Sequence, residues 1–344
     1  MKKSAGDGLP PARLDRRRER TPSPAALGDD WKTALRQALD AGDREALARV
    51  PKTDLHCHGL LSAPRETYGA LLGRPLPPPP VAFGDFGSFS DYITQNLLPA
   101  LTGRRAVQAM IRGAYEHMVA DGVVYAEVSF DLLVPEFVGM AMEEFGEILA
   151  EEAGRLAGRI RIAPEIGISR KMAPDFAATL LAGAIAVGVF RAIDLYDDEN
   201  YGAVSDFVPL YRLARDGGLK LKAHAGELCP AERVRESVLL LDLDAVQHGV
   251  RAAESPEVID FLAARGTVLN VCPTSNCSLG VVGSFESHPA RQLFERGVRI
   301  TVNSDDFTLF GASVSDEILN LCRMGFTPDE IEQIVANGLA QIPR

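Results

Sequence analysis

From residue 52 to the C-terminus this chain repeats one pattern eight times: a short run of β-branched and apolar residues, then a stretch with helical periodicity. The strand-like runs fall at 52–57, 123–129, 160–168, 189–195, 219–224, 245–248, 267–272 and 298–303. Helices are expected between them at about 104–120, 141–157, 174–187, 202–216, 230–240, 255–266 and 287–296. The punctuation agrees with this reading. Gly217-Gly218 stops one helix, and Ser255-Pro256 starts another with an N-cap and a first-turn proline. Thr327-Pro328-Asp329-Glu330 has the form of a capping box and opens the last helix. Eight alternating β and α units imply an α/β fold, a (β/α)8 TIM barrel, and 344 residues fit such a barrel as one domain over 29–344.

The N-terminal part extends that barrel. Trp31, Leu35, Leu39 and Leu47 recur at helical spacing within 29–49, which predicts one or two helices beneath the first strand. Residues 1–28 are rich in Pro, Arg and Ser without periodicity and read as a disordered basic tail. Between the first strand and the helix at 104, Pro77-Pro78-Pro79-Pro80 forms a stiff segment. Phe83, Phe86, Phe89, Tyr92 and Ile93 follow it as an aromatic cluster. Two readings stand for residues 77–100: a helix packed on the core, or a lid over a pocket.

A formal net charge of −11 argues against a polyanion such as nucleic acid as the main partner. No run of 18 apolar residues exists, so no membrane span is expected, and the basic N-terminus lacks the apolar segment of an export signal. Five cysteines are scattered without C-x-x-C spacing, which suits a reducing cytoplasm rather than a disulfide framework or a zinc knuckle. The oligomeric state stays open, a homo-oligomer included.

In barrels of this kind the active site lies at the C-terminal ends of the strands. Polar residues gather there. Strand one ends in His56-Cys57-His58, strand five in His224-Ala225-Gly226-Glu227, strand six in His248-Gly249, and strand eight in Asn303-Ser304-Asp305-Asp306. His56 and His58 are two residues apart, so in a strand they point to one face. With His224 and Asp305 they supply three nitrogens and one carboxylate oxygen, a set that suits one Zn²⁺ and leaves room for a water whose pKa falls toward ~7. Fe²⁺ or Mn²⁺ would satisfy similar ligands. His248 is placed to act as general base on that water, Glu227 to protonate a substrate nitrogen, and Asp306 to hydrogen-bond a ring nitrogen. The remaining histidines, His117 and His288, fall on helices or loops and are expected at the surface.

These segments, together with Cys272-Pro273-Thr274-Ser275-Asn276, resemble the adenosine deaminase family of the amidohydrolase superfamily over about residues 51–340, in order and spacing. The resemblance implies a zinc-dependent aminohydrolase acting on a 6-aminopurine or purine nucleoside. Its ligands would be His56, His58, His224 and Asp305. Hydroxide on the metal would attack C6, Glu227 would be the acid at N1, His248 would orient and deprotonate water, Asp306 would contact N7, and ammonia would leave. The H-x-E and P-C-x-x-C pattern of the cytidine-type deaminases is absent.

The sugar side departs from the family. Gly59 and Leu60 stand where adenosine-specific members have Leu and a ribose-binding Asp, and leucine cannot accept that bond. After strand two the usual Arg and Pro are missing, with Ser129 and then Asp131-Leu132 in this chain. Strand four ends Leu195-Tyr196-Asp197-Asp198-Glu199 where the family has Leu-Ala-Gly-Asp-Glu, so Tyr196 and Asp197 replace two small residues of the pocket wall. Phe307 replaces a proline. The expected substrate is therefore a 6-aminopurine without ordinary ribose: adenine, a 5′-modified deoxyadenosine or an N6-substituted purine. The alternative is a single-metal amidohydrolase acting on a different amine or amide. A two-metal enzyme bridged by a modified lysine is disfavoured because strand four ends in Asp194-Leu195-Tyr196, and a non-catalytic binding protein because every catalytic position is filled.

Overall fold

A computed structural model describes residues 30–343. The expectation for the tail at 1–28 lies outside the described residues. Eight strands form one sheet in sequence order: β1 (Lys52–His58), β2 (Val123–Asp131), β3 (Arg161–Ser169), β4 (Ala192–Tyr196), β5 (Lys220–Ala225), β6 (Ala245–His248), β7 (Val268–Val271) and β8 (Arg299–Val302). Every neighbouring pair is parallel. Helices return the chain between strands and bury one face each. In Arg104–Ala120 the buried residues Val107, Met110, Ile111, Ala114, Tyr115 and Met118 follow helical spacing and pack toward β2.

The barrel closes between β8 and β1 without a ladder. A single bridge joins Cys57 to Asp305, and the Asp305 N–H donates to His56 O at 3.0 Å. The Leu55 N–H donates to Asn303 Oδ1 at 2.8 Å, a side chain standing in for a missing backbone acceptor. The two halves of the candidate ligand set are thus stitched together at the seam.

Where boundaries differ from expectation, local chemistry explains them. β4 begins at Ala192, since Gly188 (φ 77°) ends the preceding helix and the next residues are used in the turn. The helix expected at 202–216 is a 3-10 turn, Val204–Phe207, followed by an α-helix, Val208–Asp216. Pro209 lies in the first turn of that α-helix, where its lack of an N–H costs no bond. The N-terminal helix Asp30–Ala41 packs on Pro328–Leu339, which covers β8 and β1, and Arg36 pairs with Glu332 at 2.6 Å. Residues 86–92 form a helix packed on the rim: Phe89 stacks on Phe310 at 5.8 Å, and the Phe83 N–H donates to Ser278 O at 2.8 Å.

The interior of the barrel is charged. On β5 the alternation turns Lys220, Lys222 and His224 to one side. Lys222 Nζ reaches Leu55 O on β1 at 2.7 Å, Glu127 on β2 at 3.0 Å and Glu165 on β3 at 2.7 Å. Burial alone would strip its proton, but the two carboxylates outweigh burial and its pKa is raised. Replacing Lys222 by Met leaves buried Glu165 without a cation and Glu127 with Lys220 alone. We expect Lys222→Met to cost roughly 3–5 kcal/mol in urea unfolding at neutral pH. A midpoint and slope equal to those of the parent protein would contradict this role.

Candidate active site

The C-terminal ends of β1, β5, β6 and β8 bring four imidazoles and three carboxyl groups together. The His56 ring centroid lies 5.2 Å from that of His58, 4.6 Å from that of His224 and 4.8 Å from that of His248. Nitrogens of His56, His58 and His224 fall within 4.8 Å of one another. Nε2 of His56 and of His58 each stands 3.6 Å from Asp305 Oδ1. Burial lowers the pKa of His56 well below its ordinary value and that of His58 to about 3, which keeps both rings neutral with lone pairs free. His224 is oriented from behind. Its Nδ1 meets Asp194 Oδ1 at 3.1 Å, and this carboxylate outweighs burial and raises the imidazole pKa. With Nδ1 engaged, Nε2 is the atom left for a ligand bond, the arrangement that metal-binding histidines favour. Three imidazole nitrogens and one carboxylate oxygen in a buried cluster fit a divalent metal of the zinc type.

The backbone is bent to make this possible. Among the described non-glycine residues, positive φ occurs at Asp197 (80°), Asp242 (51°), His248 (60°) and Asp305 (58°), and the last two belong to this site. Such conformations cost free energy and persist where surrounding structure enforces them.

On the His248 side stands a second group. Glu227 Oε1 lies 3.6 Å from His248 Nδ1. The Asn276 amide joins the two, with Nδ2 at 3.3 Å from Glu227 Oε1 and 3.1 Å from His248 Nδ1. Burial pushes the Glu227 carboxyl well above its ordinary pKa, and Asp305 and Glu199 add to the push. A carboxyl so placed is an acid able to give up a proton. Burial also holds His248 neutral. Asp306 is buried, and its Oδ1 has no hydrogen-bond partner, which leaves an oxygen for a bound molecule. Burial, then Asp305 and Glu227, raise its pKa as well.

The expectation for two histidines is corrected. His288 is 3 % exposed rather than at the surface, and its Nε2 lies 3.3 Å from Asn276 Oδ1, behind the Glu227–His248 pair. His117 is half-buried, its ring stacked on Phe307 at 3.6 Å. A helix or loop position by itself says nothing about which tertiary surface covers it.

The pocket-wall residues separate. Tyr196 abuts the cluster, with ring centroids 5.5 Å from His58 and 6.1 Å from His224. Asp197 is turned to Ser169 Oγ at 2.6 Å and Lys171 Nζ at 2.8 Å, so both of its oxygens are engaged. Leu60 is half-buried on the turn Gly59–Leu61. Gly59 is required by packing, because a Cβ there would come within 2.2 Å of the Phe130 ring.

Two buried residues of the motif segments have roles that the sequence does not disclose. Glu199, 1 % exposed, accepts the backbone N–H groups of Gly226 (2.9 Å), Glu227 (3.2 Å), Leu228 (2.9 Å) and Cys229 (2.8 Å). It holds the turn that carries Glu227. Cys272 is a second: buried, its thiol lies within 4.8 Å of ligand atoms of His56, His248 and Asp305. Their signal was the motif position alone.

Comparison with known proteins agrees with this geometry. The profile of the family described as Adenosine deaminase matches residues 81–341. A protein of Treponema pallidum named putative adenosine/adenine deaminase is 32% identical over 275 residues, covering 80% of this chain and 92% of its own. The crystal structure of an adenine deaminase from Arthrobacter aurescens superposes with a TM-score of 0.77 at 29% identity, over 84% of this chain and 92% of that one. An amidohydrolase from Burkhoderia ambifaria, solved with bound Zn, gives a TM-score of 0.75 at 25% identity, over 87% of each chain.

Asp194 offers a test of the metal assignment that does not depend on turnover. Asp194→Asn keeps the shape and removes the charge behind His224. Metal affinity is expected to fall about 10–100-fold, read by chelator competition against the metal-loaded protein. Equal retention in both proteins would remove Asp194 from the metal's support.

Proposed function

The chain belongs to the adenosine deaminase family, and from that premise we propose that it is a zinc-dependent hydrolytic deaminase of a 6-aminopurine, releasing ammonia and the 6-oxo product. One observation carries the proposal: Glu227 and His248, joined by the Asn276 amide, stand beside the three-imidazole and Asp305 cluster, so an acid and a base face one reacting centre.

In this reading His56, His58, His224 and Asp305 would hold the metal. When bound, such an ion supplies Lewis acidity, which brings the ionisation of water near neutral pH. The protein's own groups do the rest. His248 Nε2 lies 3.2 Å from His56 Nε2 and 3.8 Å from Asp305 Oδ2, so it stands where it can take the proton from an attacking water. Glu227, kept protonated by burial, gives a proton to N1, the ring nitrogen next to the amine-bearing carbon. That transfer lets the carbon become tetrahedral without building negative charge on the ring. Asp306, through its unpartnered oxygen, holds the purine at N7. Collapse of the tetrahedral carbon expels the amine, which takes up the proton that His248 removed from the water and leaves as ammonia, while the remaining hydroxyl proton returns to Glu227 and leaves the oxo product.

Leu60 supports a substrate without ordinary ribose, since its side chain cannot pair with a hydroxyl. The relatives named for adenine point the same way. Among the described residues no helix is long and apolar enough to cross a membrane. With five unpaired cysteines and a net charge of −11, we place the enzyme in the cytoplasm, acting on a small molecule.

The test is ammonia release by zinc-loaded protein from adenine, adenosine, AMP, 5′-modified adenosines and N6-methylated purines. Turnover of one class is expected, with kcat lowered about 10²–10⁴-fold in Glu227→Gln. A protein that binds zinc but releases ammonia from none of them would move the activity to another amine or amide.

A further inference from the structure

The residues of the site differ in how far they can be reached. His56 is 0 % exposed, His248 1 %, Asp306 3 %, Asp305 4 %, and His224 and Glu227 5 %. The His58 side chain is 17 % exposed, and Tyr196 beside it is half-buried. The reacting groups therefore form the closed end, and His58 and Tyr196 stand on the more exposed side of the cluster. A purine is a rigid plane with C6 and N9 at opposite ends. If its 6-amino carbon reaches the closed end, its N9 end must lie toward His58 and Tyr196.

Tyr196 is held firmly there. Its hydroxyl donates to Asp131 Oδ2, and Asp131 Oδ1 in turn accepts the Leu133 N–H at 2.6 Å. Its ring rests edge-on to His58. On the neighbouring strand Gly167 makes room, because a Cβ there would come within 2.8 Å of Tyr196 Cε1 and equally of Ser129 Oγ. Ser129, 2 % exposed, has an Oγ without any hydrogen-bond partner. Residues from the ends of β1 through β4 are thus fitted around one phenol ring. A ring fixed at its hydroxyl and wedged at its edge cannot swing aside without breaking a hydrogen bond to a carboxylate.

We propose that Tyr196 is the specificity-determining residue of this enzyme: its ring fills the volume that a substituent on N9 would need, so the site accepts free 6-aminopurine bases and excludes N9-glycosides. The inference rests on the deaminase reading above. It adds a physical device to it, a steric wall buttressed by Asp131 and seated over Gly167. The free base loses nothing at this wall, since its N9 edge carries at most a hydrogen.

Two measurements test it. The first uses the unaltered zinc-loaded protein and the series adenine, 9-methyladenine, 9-ethyladenine and adenosine. kcat/KM should fall at each enlargement of the N9 group, by at least about 10-fold from adenine to adenosine. The second compares Tyr196→Ala with Tyr196→Phe. The alanine variant should raise the adenosine-to-adenine ratio of kcat/KM by about 10-fold or more. The phenylalanine variant keeps the ring but loses its tether to Asp131, so its ratio should rise less than that of the alanine variant. Adenine turnover by each variant reports that it is folded; if the alanine variant has none, the N9 series on the parent decides. Equal efficiency on adenine and adenosine in the parent overturns the wall. So does an unchanged ratio in Tyr196→Ala, or a shift in Tyr196→Phe as large as in Tyr196→Ala, and each leaves the deaminase reading intact. Failure of the parent on every 6-aminopurine would instead remove the reading on which the wall rests.

Discussion

A single ammonium at the centre of the barrel makes the rest possible. Lys222 reaches three other strands from β5, and its contacts sit one step below the groups proposed to do chemistry. Leu55, whose carbonyl it binds, precedes His56, and His224 follows it by two residues on the same face. Asn270 on β7 donates to the same carbonyl at 3.2 Å and bonds Gln247 on β6 at 2.7 Å. Strand ends that must converge on one point are therefore tied from beneath by directional bonds. Layers of branched aliphatic residues are the common filling of such barrels, and they would pack but would not specify orientation in this way. The arrangement is stable only while the charges balance, because unpaired carboxylates in this interior would each meet a large desolvation cost.

The same logic extends upward to the site. Three of the candidate groups have an orienting partner: Asp194 stands behind His224, Asn276 between Glu227 and His248 with His288 behind it, and Glu199 beneath the turn of Glu227. Such support fixes positions before substrate arrives, which lets the groups stabilise developing charge without first reorganising. The positive φ angles at His248 and Asp305 are the conformational cost of aiming side chains from strand ends that would otherwise point elsewhere. Elements around the site are shaped to match: Gly59 yields to Phe130, and Phe307, in place of a proline, stacks on His117.

Much of this was legible without coordinates. Apolar runs of period two alternating with helical ones identify the eight units, because each strand and helix must bury a face. The helix at Arg104–Ala120 and the strand at Ala245–His248 have the bounds that the pattern predicts. His56 and His58 announce a shared ligand point because strand geometry puts i and i+2 on one side. The convergence of His224, Asp305, Glu227 and His248 with them follows once the barrel topology is granted. What a linear pattern cannot contain is contact between residues far apart in sequence. The roles of Glu199 and His288 depend on which loop covers which, and so does the choice between packed helix and lid at residues 77–100. The same limit governs the pocket wall. The family resemblance implies that Tyr196 and Asp197 replace smaller residues, but only three-dimensional packing sends Asp197 to Lys171 and seats Tyr196 beside His58. Short-range stereochemistry determines the units and the chemistry they can carry; long-range packing alone decides which side chains meet, because those distances are fixed only when the barrel closes.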